Sequence, residues 1–126
     1  GETILLVEDE DSVRRLTRIL LERLGYRVLE ATNGLEALAR AEAFPDPISL
    51  MLSDVVMPGL GGEALAEKMS ALRPNLPILF MSGHPDSTAA FAGVLADQRR
   101  FIKKPFTRHD LERKIRELLD AGKATA

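Results

Sequence analysis

Glu8-Asp9, Asp54, Ser82 and Lys104 lie far apart in the sequence and share one setting: each stands where a short apolar run stops. Thr3-Ile4-Leu5-Leu6-Val7 runs into Glu8-Asp9-Glu10-Asp11. Residues 48 to 53 run into Asp54 and then Val55-Val56-Met57-Pro58-Gly59. Pro77-Ile78-Leu79-Phe80-Met81 runs into Ser82-Gly83, and Phe101-Ile102 runs into Lys103-Lys104-Pro105. If these runs are parallel strands of one sheet, the carboxylates, the hydroxyl and the ammonium gather at its carboxyl edge, where ligands bind in open α/β sheets. Three carboxylates so placed repel by roughly 4 kcal/mol per pair at about 4 Å and an effective dielectric near 20. Lys104 offsets one of the three charges, and a divalent cation offsets the other two. Oxygen-only ligands favour Mg²⁺, which shares its shell readily with a phosphate. Asp54 then becomes a plausible nucleophile, since a carboxylate can form an acyl phosphate. Ser82 and Lys104 are the donors that a transferring phosphoryl group requires.

Taken singly, every one of these residues has an ordinary explanation. Glu8 and Asp9 can cap a helix, Asp54 and Ser82 can be turn residues, and Lys104 can be a solvated lysine. Their recurrence at strand ends is what favours the chemical reading.

Positioning them requires an alternation of strands and helices, and the sequence supplies it. Apolar runs of this length read as strands covered on both faces, and Pro-Gly cannot continue one. After the first strand, Val13, Leu16, Thr17, Leu20, Leu21 and Leu24 recur at helical spacing, with Arg14, Arg15, Arg18, Glu22 and Arg23 pointing the other way. Gly25 ends this helix as a left-handed cap. Residues 26–31 alternate and form a second strand, nearer an edge. Asn33 with Glu36 opens a second helix with an inner stripe of Leu35, Leu38 and Ala41, closed by Pro45 and Pro47. Ala64, Leu65, Met69 and Leu72 mark a third helix. An Ala-rich segment over 86–97, with Gly93 inside it, is expected to form a weaker fourth helix and the most mobile element. Thr107 and Asp110 start a last helix facing inward through Leu111, Ile115, Leu118 and Leu119. Five strands alternating with five helices predict an α/β fold with right-handed crossovers, a single five-stranded parallel sheet and helices on both faces.

With 126 residues the chain suits one domain over 1–126, with a core from about 3 to 121 and a small-residue tail over 122–126. The net charge of −2 gives no sign of a nucleic-acid surface. The absence of cysteine excludes a disulfide scaffold, a thiolate nucleophile and a Cys-ligated metal. No apolar run approaches the ~20 residues that span a membrane, and no signal peptide is visible. A cytoplasmic domain without membrane insertion is expected. Met51, Met57, Met69 and Met81 read as packing residues.

The motifs Leu5-Leu6-Val7-Glu8-Asp9, Asp54 through Gly59, Phe80-Met81-Ser82-Gly83 and Phe101 through Phe106, in this order and spacing, resemble a two-component response regulator receiver domain from Thr3 to about Ala121. The resemblance implies a flavodoxin-like (βα)5 fold with strand order 2-1-3-4-5. It implies that Asp54 accepts a phosphoryl group from a phosphohistidine, with slow autodephosphorylation. It implies that Asp9, Asp54 and the Val56 backbone carbonyl bind Mg²⁺, with Glu8 acting through a water. Ser82 and Lys104 would bind the phosphoryl oxygens. Phe101 would be the switch aromatic, turning inward as Ser82 moves, and Lys104-Pro105 a cis bond. The family more often has Asp where this chain has Glu8, whose longer side chain still reaches a metal-bound water.

The pairing of Ser82-Gly83 with Phe80-Met81 and Lys104-Pro105-Phe106 resembles receivers at the end of hybrid histidine kinases. Partners implied are a histidine kinase, its own intramolecular core included, and a histidine phosphotransfer protein. The contact surface implied comprises the helix over 86–97, the fifth strand and the last helix, with the loops around Asp54. His84 would place or block the attacking water, against the plainer reading of an exposed loop histidine. His109 reads as surface.

Other readings are a degenerate receiver that only binds partners, against which Asp9, Asp54, Ser82 and Lys104 all speak, and an aspartyl phosphatase resembling the haloacid dehalogenases. The latter carry a second Asp two residues after the nucleophile, where this chain has Val56. A dinucleotide fold is disfavoured because no Gly-rich turn follows the first strand.

Overall fold

Strand β1 (Thr3–Val7) is buried at all five positions. A strand covered on both faces belongs inside a sheet, and β1 lies between β2 (Arg27–Ala31) and β3 (Leu50–Asp54). Beyond β3 come β4 (Ile78–Ser82) and β5 (Phe101–Lys103), giving one five-stranded sheet in the order β2-β1-β3-β4-β5. All four pairings are parallel. The expected fold class and strand order are observed, with β2 at an edge. A computed structural model supplies these coordinates and describes residues 2–55, 59–82, 101–104 and 106–125. The helix expected over 86–97, together with Val56, His84 and Pro105, lies outside the described residues.

Side-chain alternation along the strands builds two core layers. Leu5, Val7, Met51, Ile78 and Phe80 meet Ala37 and Ala41 of α2 (Gly34–Ala43) and Leu65 and Met69 of α3 (Gly62–Leu72). Ile4, Leu6, Leu50, Leu52, Leu79 and Met81 meet Leu21 of α1 (Asp11–Arg23) and Leu111, Ile115 and Leu119 of α4 (Arg108–Thr125). The sheet is therefore covered on both faces.

Local signals account for the helix ends. Gly25 adopts φ +95° after α1, as its place after the last periodic residue predicts. Asn33 Oδ1 accepts from the Glu36 N–H at 2.8 Å, and Glu36 Oε1 accepts from the Thr32 N–H at 3.1 Å. Thr107 and Asp110 form the reciprocal pair at the start of α4.

Three leucines expected inside lie outside. Leu16 is 61% exposed, Leu35 70% and Leu72 42%. On α2 the inner stripe is Gly34, Ala37 and Ala41, so small side chains occupy the face against the core and Leu35 turns away from it. On α1 the buried pair is Thr17 and Leu21, one turn apart, with the Thr17 hydroxyl satisfied by the Val13 carbonyl at 2.8 Å.

Candidate functional site

The strand registers decide which side chains meet. Val7 pairs with Ser53, so Glu8 and Asp54 follow side by side. Asp54 pairs with Met81, which sets Ser82 one residue beyond it. Ser82 pairs with Lys103, which sets Lys104 one residue further still. Four strand ends thus converge on one edge.

Glu8 is the residue at its centre, only 1% exposed. Lys104 Nζ lies 3.4 Å from Glu8 Oε2 and 3.4 Å from Asp54 Oδ2. Glu8, Asp9 and Asp54 each offer a carboxylate oxygen, all within 4.8 Å of one another. Asp9 is exposed and Asp54 half-buried, so the cluster grades from the interior to solvent. Burial pushes the Glu8 carboxyl up to about 7, and the Asp54 charge pushes it the same way against the pull of Lys104. One ammonium therefore leaves the cluster with excess negative charge. The donor set, three carboxylates within reach of one ion and one exposed to solvent, fits a hard divalent cation.

Asp54 ends β3, and the chain then turns. The Val55 N–H donates to the Met81 carbonyl at 3.1 Å, and Gly59 adopts φ +77°, a conformation glycine tolerates best. Asp9 borders an open depression lined also by Thr32, Asn33, Leu35, Gly59 and Leu60. At β5, the Phe101 ring packs against Phe80 with centroids 5.4 Å apart. Another groove lies away from this cluster and includes Glu2, Tyr26 and Arg116, where Arg116 donates to both Glu2 and Tyr26.

Of the residues expected to act together, Glu8, Asp9, Asp54 and Lys104 meet. Ser82 is placed at the same edge through its strand. Val56 falls outside the described residues. Sequence reasoning missed the end of β2, where Thr32 and Asn33 face the depression beside Asp9. It also missed Arg14, assigned to the outward face of α1. The Arg14 side chain is 16% exposed and Nη1 donates to the Glu8 carbonyl at 3.0 Å. The available signal was Asp11, one turn before Arg14 and the last residue of the acidic run.

Comparison with known proteins gives a consistent result. Residues 4–116 match the model of the response regulator receiver domain family. The chain is 36% identical over 125 residues to the response regulator receiver protein CpdR of Brucella abortus, covering 94% of this chain and 98% of CpdR. It is 37% identical over 120 residues to the sensor kinase CckA of the same organism, covering 94% of this chain but 12% of the kinase. The crystal structure of the receiver domain from hybrid histidine kinase CckA superposes with a TM-score of 0.76 at 36% identity, covering 93% of this chain and 98% of that one.

Proposed function

The chain belongs to the response regulator receiver domain family of two-component signalling, and within it we propose an active phosphoacceptor in which Asp54 takes a phosphoryl group from a partner's phosphohistidine with Mg²⁺ as cofactor. The observation that carries this reading is the bridging of Glu8 and Asp54 by Lys104 at 3.4 Å each, beside the exposed carboxylate of Asp9.

An oxygen of Asp54 attacks phosphorus in line with the departing imidazole nitrogen. The new O–P bond forms as the P–N bond breaks, and its electron pair stays on the departing nitrogen; with the other ring nitrogen protonated, the histidine leaves as neutral imidazole. Lys104, already beside the Asp54 oxygen, then binds an oxygen of the transferred group, as does the Ser82 hydroxyl. Asp9, Asp54 and the Val56 carbonyl would hold the ion, with Glu8 acting through a water. When bound, Mg²⁺ supplies positive charge to the transferring oxygens. Slow attack by water on the acyl phosphate returns the carboxylate and inorganic phosphate. Movement of Ser82 toward the phosphoryl group draws Phe101 inward, which is the switch.

The likeness to the CckA receiver supports a hybrid histidine kinase parent in the cytoplasm. Its own kinase core would be a donor and a histidine phosphotransfer protein a further partner. Among the described residues, no helix is long and apolar enough to cross a membrane.

The test is an amide-resolved NMR titration. With Mg²⁺ and beryllofluoride, resonances at the ends of β1, β3 and β5 should shift at saturation, and chelation should reverse this. A spectrum unmoved by both reagents would instead favour a receiver that only binds partners.

A further inference from the structure

Three contacts converge on the guanidinium of Arg14. Nη1 donates to the Glu8 carbonyl at 3.0 Å and Nη2 to Asp11 Oδ1 at 2.6 Å, while Nε lies 3.6 Å from Glu30 Oε1. The second oxygen of Glu30 accepts from Arg18 Nη1 at 3.3 Å, so Glu30 is itself held in place. On its other side, the Glu8 N–H donates to the Ala31 carbonyl at 3.1 Å. Glu8 is thus anchored through both flanking peptide groups, one by the end of β2 and the other by Arg14. The second of these peptides leads directly into Asp9, so its orientation sets where the Asp9 carboxylate points.

We infer that Arg14 is a positioning residue for the acidic site: through the Glu8 carbonyl it fixes the Glu8-Asp9 turn in the arrangement that brings three carboxylate oxygens to one ion. This rests on the Mg²⁺ reading above. Mg²⁺ demands near-ideal geometry, so a loosened ligand weakens binding. Charge alone predicts the opposite, since removing a cation near the cluster should tighten a metal ion. The two effects differ in sign and can be separated.

Arg14→Met keeps the length and apolar stem and removes the donors. Arg15→Met, at the exposed neighbouring position, makes the same charge change away from the turn. Mg²⁺ affinity is measured by calorimetry on both variants and the parent. In parallel, amide hydrogen exchange at Glu8 is compared with that at Leu52 in metal-free protein. The expected result is a Mg²⁺ dissociation constant about tenfold higher for Arg14→Met than for Arg15→Met, the scale of one lost charge-assisted hydrogen bond. Exchange at Glu8 should also accelerate about tenfold while Leu52, in the core of β3, is unchanged. An Arg14→Met variant that binds Mg²⁺ as tightly as Arg15→Met, or tighter, overturns the inference, as does unchanged exchange at Glu8. A parent chain that binds no Mg²⁺ defeats the cofactor reading instead, and exchange at Glu8 then decides alone whether Arg14 holds the turn.

Discussion

Among the described residues, Glu8 is the carboxyl pushed furthest from its ordinary range. Its carboxyl is pushed up to about 7 from 4.5, first by burial and then by Asp54. A pKa raised on folding means that the folded chain holds this proton more tightly than the unfolded chain does. The associated stability is present below about 4.5 and is lost as pH rises through about 7. The cost at the upper end is about 3 kcal/mol, since each pKa unit is about 1.4 kcal/mol. Chemical denaturation in chelator should therefore show declining stability across this window. Glu8→Gln should flatten the decline and be the more stable protein at about pH 8 by 1 to 3 kcal/mol, roughly the charge penalty removed. The same slope in both proteins would mean that Glu8 is not the group responsible. Added Mg²⁺ should restore stability to the parent above about pH 7, by linkage, and much less to the variant.

Between elements, the start of α2 closely approaches Leu60, beyond the end of β3. A Cβ added at Gly34 would lie 2.9 Å from Leu60 Cδ2 and 3.0 Å from Leu60 Cβ. The second atom is tied to the backbone, so a new rotamer cannot relieve it. Gly34→Ala should therefore destabilise by about 1 to 3 kcal/mol, less the gain of up to about 1 from helix propensity. In combination with Leu60→Gly, which removes the Cβ as well, most of that loss should vanish, a coupling that denaturation of the double-mutant cycle measures. Strictly additive losses would show that the two positions do not press on each other. This contact also explains what the sequence concealed. Apolar periodicity identified α2 and its Asn33 cap, but it favoured Leu35 for the inner stripe because leucine is the larger apolar side chain. The inner positions are instead small, and no hydropathy pattern distinguishes a buried glycine from an exposed one. Arg14 was hidden for a related reason. A charged residue on an amphipathic helix reads as solvated, yet its donors reach a backbone carbonyl whose exact place only the fold defines.

For the whole molecule, the legible part was topology. β1, β3 and β4 announced themselves as apolar runs with a polar stop, because inside the sheet both their faces are covered, and β2, the half-exposed edge, announced itself by alternation. Parallel order then does the rest. It delivers Glu8, Asp54, Ser82 and Lys104 to one edge, whereas any antiparallel pairing would have divided them between two. We propose that this edge makes Asp54 a phosphoryl acceptor. The most direct test is incubation of the parent and Asp54→Asn with acetyl phosphate and Mg²⁺, followed by tandem mass spectrometry of the modified chain. A single base-labile phosphoryl group is expected on Asp54 in the parent, with none in the absence of Mg²⁺ and none in the variant. A phosphoryl group mapped to any other residue, or equal uptake by Asp54→Asn, would contradict it.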